Sequence, residues 1–272
     1  MSILMKGKSE IHPTALVHPS AKVGNGSKIG PWVLIEQGVE IGEQCEVCAR
    51  AVLTGSIKIG SENHIGYGAI IGAEPQDISA EGEYGGITIG DRNVIREYVT
   101  IHCATGKESN TAIGNDNFFM VGCHIAHNCY VGNHVFLVNN VLLGGHVKIA
   151  DHAFLGGAAV VHQHTRIGKF VMVRGQTRLG LDVPPYCMAV DTNVVQGLNR
   201  VGLKRNGIDT ARRKAIQTAY NLLYHSGYNR VQAIEAMQND SHLKNQDIRD
   251  FIDFLLTTKR GISQPEFKNS GH

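Results

Sequence analysis

The stretch Ile113-Gly-Asn-Asp-Asn-Phe-Phe119-Met-Val-Gly-Cys-His-Ile125-Ala-His-Asn-Cys-Tyr-Val131 puts a large apolar residue at every sixth position. The same step runs outward from Ile11 to Leu179. Of the 29 positions it visits, 26 are large apolar residues. The three exceptions, Asp77, Glu83 and Lys107, fall in two polar interruptions, Ala73–Gly86 and Cys103–Asn110. A period this strict means a repeat architecture, in which each unit buries its apolar face against the next. Four residues after each station lies a small or β-branched residue, such as Ala51, Cys123, Val135 or Ala153. Slot four therefore points in, slot five out and the next station in, which is strand alternation. Glycine often follows the station, as at Gly24, Gly114 and Gly144. That slot and the two after it make a corner, where open backbone conformations are expected. Three such sides close a triangular coil of 18 residues, and coils stack about 4.8 Å apart. The interior is a solid aliphatic column, so function must sit on corners and loops.

Composition bounds the rest. The chain has 272 residues, 32 glycines, 6% aromatics and a net charge of +2. A near-neutral balance excludes bulk nucleic-acid binding. The start, MSILMKGKSEIHP, has no apolar run fit for export or membrane insertion, so a cytoplasmic protein is expected. Six cysteines then read as reduced thiols. Cys45-Glu-Val-Cys48 is spaced like a metal or redox pair, but no second pair follows, and Cys45, Cys123 and Cys129 occupy the small core slot. No metal and no cofactor are expected.

The repeats stop at Asp182-Val-Pro-Pro-Tyr186, since two prolines cannot continue a strand ladder. Helix signals follow. One helix is expected from a cap at Asp209 or Thr210 to Tyr224, a second from Asn229 to about Gln238, and a third from about Leu243 to Lys259, ending at Gly261. The tail from Ser263 is expected to fray. Residues 1–190 thus read as the repeat rod and 191–272 as a helical domain.

The register is unbroken from Ile113 to Leu179. His127 plus 18 is Gly145, and plus 36 is Gln163, so the three stack at one corner on successive coils. His124, His146 and His162 are their neighbours. An imidazole there can take a proton from a hydroxyl, because its ordinary pKa is near working pH. A glycine N–H one coil on can approach a developing oxyanion closely. That is a layout for direct acyl transfer. Three readings remain open on the residues alone: an acyltransferase, a zinc enzyme held by histidines, and a non-enzymatic rod with solvated corner histidines. His134 and His152, also 18 apart, read as a plain surface ladder.

The hexad pattern resembles the hexapeptide-repeat left-handed β-helix family, which is rich in trimeric acyltransferases; the hand comes from that resemblance. Ile125-Ala-His127, Asn139-Asn140, Gly144-Gly-His146, Val161-His-Gln163, Asp182-Val-Pro-Pro-Tyr186 and Gly202-Leu-Lys-Arg205-Asn-Gly207 together resemble the UDP-N-acetylglucosamine 3-O-acyltransferases. Ile89-Gly-Asp-Arg-Asn-Val-Ile-Arg-Glu97 and Thr100-Ile-His102 match too, and the likeness covers about residues 9–262. It implies a mainly β fold, a left-handed parallel β-helix with a C-terminal α-helical domain. It implies transfer of a 3-hydroxyacyl group from acyl carrier protein to the 3-hydroxyl of UDP-N-acetylglucosamine, the first step of lipid A synthesis, in a homotrimer with its site between subunits. His127 would be the general base, and the Gly145 N–H would hold the thioester oxyanion. His124, His146, His162 and Gln163 would line the cleft, and Gln76 and Asp77 would contact the sugar. Asn199 and Arg205 would approach the nucleotide or the carrier arm. Gly175 would leave room for a longer acyl chain. A γ-class carbonic-anhydrase-like zinc enzyme is the rival within this architecture; the helical end with Gly-Leu-Lys-Arg argues against it.

Four positions depart from the family pattern. Asn128 stands where Asp usually follows the base. Ser79 replaces a Lys, Val201 a Glu and Asn206 an Arg. They put several nucleotide contacts in question, and with them the acceptor, so a 3-amino UDP-sugar is the alternative. The basic run Arg200, Lys204, Arg205, Arg212, Arg213 and Lys214, with Arg166, Lys169, Arg174 and Arg178 close in sequence, would attract an acidic carrier protein.

Overall fold

Each hexad forms one short strand and one turn, and three hexads wind one coil. The structure, a computed structural model, describes residues 8–80, 82 and 84–266; the expected station at Glu83 lies outside them. The strands stack into three sheets of twelve, nine and eight strands. Pairing is parallel and mostly spaced by 18 residues, as in Phe118 with Phe136 with Phe154 with Met172 along the first sheet. Ile, Val and Leu stations such as Ile35, Ile65, Ile125 and Leu143 are fully buried in one continuous column.

The two interruptions leave the column without shifting it. His64 pairs with Val94, 30 residues on, and Val94 with Phe118, 24 on. Against 18, the ejected lengths are twelve and six. Both are multiples of six, which is why the apolar step survives them.

The open backbone expected at the corners falls on their last residue. The station-plus-one glycines do not supply the unusual backbone. The left-handed φ falls three residues past the station, on Asn128 (58°), His146 (61°) and His164 (63°), among others. The glycine slot answers to crowding instead: a Cβ on Gly144 would lie 2.8 Å from the Gln163 backbone nitrogen of the next coil. Asn tolerates left-handed φ better than most side chains, which suits Asn128 to its place.

Buried asparagines rivet the coils. The Asn63 amide oxygen accepts from the Asn93 N–H (2.9 Å), the Asn93 oxygen from the Asn117 N–H (3.0 Å), and the Asn117 oxygen from the Val135 N–H (2.7 Å).

At the end of the rod the chain departs from the simple reading. Cys187–Val190 joins the first sheet in parallel, and Val194–Leu198 folds back on it antiparallel. Four helices follow: α1 (Arg200–Arg205), α2 (Thr210–Tyr224), α3 (Arg230–Asn239) and α4 (Gln246–Leu256). Asp209 caps α2, and Asn229 caps α3 in a full capping box. The third expected helix is shorter than its apolar stripe suggested. Asp240 and Asn245 each cap a separate start, so a 3₁₀ turn at Ser241–Leu243 precedes α4. Nor does the tail fray at Ser263. Gln264–Pro265 pairs with Val194–Val195, and the Ser263 N–H donates to the Asp182 carbonyl (2.8 Å).

Hydrogen bonds and an ion pair between Lys169 and Asp250 fasten the helices to the rod. Arg212 holds the buried Asp247 through two bonds of 2.7 and 2.9 Å, and the Tyr186 hydroxyl donates to the same carboxylate (3.0 Å). Arg166 bridges Asp182, Thr257 and the Phe254 carbonyl. A stacked column continues His134 and His152 through Phe170 and Tyr186 to Phe251. No helix among the described residues is long and apolar enough to cross a membrane.

Candidate active site

His127 stands at the corner between the second and third sheets, after the strand His124–Ile125. It is 7% exposed. Its Nδ1 lies 2.8 Å from the Asn128 amide oxygen. That oxygen also accepts from the Thr105 N–H (3.0 Å) and hydroxyl (2.9 Å), while the amide nitrogen donates to the Thr105 carbonyl (3.2 Å). The amide can face only one way, so the imidazole carries its proton on Nδ1 and keeps the Nε2 lone pair.

Gly145 sits directly across from that lone pair. A Cβ built on it would lie 2.5 Å from His127 Nε2 and Cε1. Its carbonyl accepts from the His164 N–H of the next coil (2.9 Å). Among the described residues no acceptor takes its own N–H. An unpaired donor beside an available imidazole nitrogen is what transfer of an acyl group requires at one spot: a proton acceptor and an oxyanion partner.

The two ejected loops serve this corner. The second carries Thr105, which locks Asn128. The first leans on the second through a Tyr84–Thr105 bridge and a Gly85 N–H to Ala104 carbonyl bond (2.8 Å). It brings the Asp77 carboxylate within 3.9 Å of His127 Nε2. The Ser79 hydroxyl (2.7 Å) and N–H (2.9 Å) hold the other Asp77 oxygen, and those bonds keep its carboxyl below the usual range. Ser79, a departure in sequence, is thus the residue that aims Asp77.

The other histidines gather as their spacing implied. The His146 ring meets His127 edge-on at 5.2 Å and stacks on His164 at 4.5 Å. His124 shares a bond with the Thr100 hydroxyl through Nδ1 (2.8 Å). Burial, then the His102 and His127 rings, push the His124 imidazole down to about 4. His162 and Gln163 stand exposed two coils above His127. His102 belongs here as well: it is 7% exposed, 5.0 Å from His124, and its Nδ1 is buried without a partner. Stepping by 18 missed it because the second insertion widens that spacing to 24, as Thr100 pairing with His124 shows.

Residues 182–263 match the family model described as UDP N-acetylglucosamine O-acyltransferase, domain 2, and residues 110–145 match the bacterial transferase hexapeptide (six repeats). The structure is similar to LpxA, a UDP-N-acetylglucosamine acyltransferase from Bacteroides fragilis, at 35% identity over 93% of this chain and 99% of that one, with a TM-score of 0.88. It is similar to the Francisella novicida UDP-N-acetylglucosamine acyltransferase at 36% identity, over 96% and 95%, with a TM-score of 0.90. The Arabidopsis acyltransferase follows at 30%, over 93% and 100%, with a TM-score of 0.82. The chain belongs to the UDP-N-acetylglucosamine O-acyltransferase family. The fold it shares is a left-handed parallel β-helix with a C-terminal helical region.

Three residues singled out in sequence lie elsewhere in this family member. Gly175 is on the corner between the first and second sheets. Asn199 lies against Phe170, on the third corner: its amide nitrogen donates to the Phe170 carbonyl (2.9 Å) and its oxygen caps α1 (2.9 Å). Both ends of that amide are therefore taken by scaffold bonds. Arg205 ends α1 and is exposed. One chain does not bring them to His127. Part of the basic run also proves structural. Arg166, Lys169 and Arg212 hold Asp182, Asp250 and Asp247, while Lys204, Arg205 and Lys214 stay exposed.

Proposed function

We propose that this protein transfers a 3-hydroxyacyl group from acyl carrier protein to the 3-hydroxyl of UDP-N-acetylglucosamine, by direct attack and without a covalent enzyme intermediate. The observation that carries the reading is the facing pair at one corner: His127 Nε2, its lone pair exposed by the Asn128 bond, and the Gly145 backbone against it. His127 takes the hydroxyl proton as the oxygen attacks the thioester carbonyl. The Gly145 N–H holds the oxyanion. His127 then returns the proton to the departing carrier thiolate, so charge and protons balance.

Asn128 cannot offset an imidazolium by charge. Asp77, held ionised by Ser79 and 3.9 Å from Nε2, supplies the negative field from the loop side. Gln76 sits on the same loop, and with His124, His146, His162 and Gln163 would contact sugar and acyl chain.

Gly175 and Arg205 can join this site only from a neighbouring subunit, and we infer a homotrimer; the Asn199 amide is spent on the scaffold. Supporting it, the first sheet presents a ladder of outward Phe118, Phe136 and Phe154, with ring centroids 6.1 and 6.2 Å apart, and the second sheet presents Leu142 and Val160. We read residues 1–190 as the catalytic rod and 191–272 as a helical end whose Lys204, Arg205 and Lys214 attract an acidic carrier, in a cytoplasmic enzyme.

His127→Ala should lower turnover by about 10²-fold or more while far-UV dichroism and trimer mass hold. Retention of most activity would sink the assignment. A second acceptor is favoured by Asn128. A neutral amine attacks a thioester before it loses a proton, so a base whose Nδ1 partner is uncharged suits a 3-amino sugar. Comparing kcat/KM for hydroxyl and amino acceptors decides between the two.

A further inference from the structure

The Cys45-Glu-Val-Cys48 pair is divided by the fold. Cys45 points into the column, and its thiol donates to the Gly60 carbonyl (3.2 Å). Cys48 stands on the corner between the first and second sheets, at the place that Gly30 and Gly66 occupy one coil before and after. The Cys48 thiol is buried there, yet outside the apolar column. Its sulfur lies 3.8 Å from Nε2 of His64, on the next coil. The other nitrogen of that ring, Nδ1, lies 3.2 Å from the Glu46 carboxylate. One ligand atom from each of the three lies within 4.8 Å of the other two, and no other His, Cys, Asp or Glu group among the described residues is as compact.

We propose that Glu46, Cys48 and His64 form a binding site for one zinc-class divalent transition-metal ion, outside the acyl-transfer corner. The spacing is the first argument. An ion about 2.3 Å from sulfur and about 2.0–2.1 Å from nitrogen, at a tetrahedral angle, holds the two about 3.6 Å apart. The observed 3.8 Å is long for a hydrogen bond from a thiol, and a small rotation closes it onto an ion. The second is orientation. A carboxylate on one imidazole nitrogen fixes the ring and turns the other nitrogen toward a metal, and Glu46 and Cys48 flank His64 in that manner. On metal binding the Glu46 side chain, 60% exposed, gives up Nδ1 for the ion as a third ligand, with water as the fourth. The third is chemistry. A thiolate, an imidazole and a carboxylate select zinc or cobalt over magnesium or calcium. On binding, the Cys48 proton goes to solvent, and the ion ties two successive coils near the start of the rod.

The site is tested on the full-length protein under reducing conditions. Cobalt(II) titration of the wild type should produce a thiolate-to-cobalt charge-transfer band that saturates at one equivalent per chain and is abolished by zinc. Cys48→Ser should remove the band, and His64→Gln should weaken binding at least tenfold. Zinc should also raise the thermal midpoint of the wild type and leave that of Cys48→Ser unchanged. No band, a band that survives in Cys48→Ser, or a His64→Gln protein that binds like the wild type would each overturn the proposal. Circular dichroism of both variants shows whether they keep the fold, and any that does not is replaced by Cys48→Ala or His64→Asn.

Discussion

Gly145→Ala is the sharpest probe of the proposed chemistry. The added methyl would sit 2.5 Å from His127 Nε2 and Cε1. Carbon contacts are comfortable at about 3.5–4.0 Å, so the ring must retreat by about 1 Å. The fold can absorb this, because the obstacle is a side chain and Gly145 does not use a left-handed φ. Catalysis cannot. The retreat stretches the 2.8 Å bond from Nδ1 to Asn128 and moves Nε2 away from the Gly145 N–H. A misplacement near 1 Å costs about 10²-fold in rate, or about 2.7 kcal/mol. We expect kcat/KM to fall by about that factor, with a stability loss within the about 1–3 kcal/mol of a typical overpacking change. The control is Gly197→Ala, where nothing lies within 4 Å of the new methyl. The assay is acyl transfer from carrier thioester to nucleotide sugar, with oligomeric mass measured in parallel. Gly145→Ala activity within threefold of wild type, with oligomeric mass unchanged, would refute the facing of base and donor.

Three further outcomes follow from other parts of the molecule. Asn128→Asp adds a charge beside the base, but its second oxygen would meet the Thr105 carbonyl where the amide now donates at 3.2 Å; turnover should fall about tenfold, and a rise would show that the Thr105 loop yields to the charge. Asn93→Ala strands the buried Asn117 N–H, so urea unfolding should show a loss of about 1–3 kcal/mol. Acid should weaken the fold through His124, whose folded value of about 4 lies below its ordinary 6.5. Unfolding then takes up a proton: stability is fully present above about pH 6.5 and drains as pH falls toward about 4, by up to about 1.4 kcal/mol per pH unit. His124→Gln should flatten that slope in urea titrations at fixed protein concentration.

The rod was legible because its determinant is local and periodic. A station every six residues survives even the two insertions, since twelve and six residues leave the step unchanged. The same arithmetic put Gly145 over His127, because no insertion intervenes between Ile113 and Leu179. It failed at His102, where an ejected loop changes the coil spacing; at α4 it was the apolar stripe that misled, because caps overrode it.

Tertiary structure alone decided the state of the proposed base. Asn128 read as a lost charge, but its role depends on Thr105, 23 residues back in an ejected loop. Ser79 read as a missing lysine, yet it aims Asp77 at Nε2. Cys48 read as half of a pair with Cys45, whereas the winding of the coil put Cys45 in the apolar column and gave Cys48 to His64. A repeat dictates which residues stack, because each coil has one length. It does not dictate what a loop brings back to the corner, because that contact is set by the loop's own hydrogen bonds and not by any period.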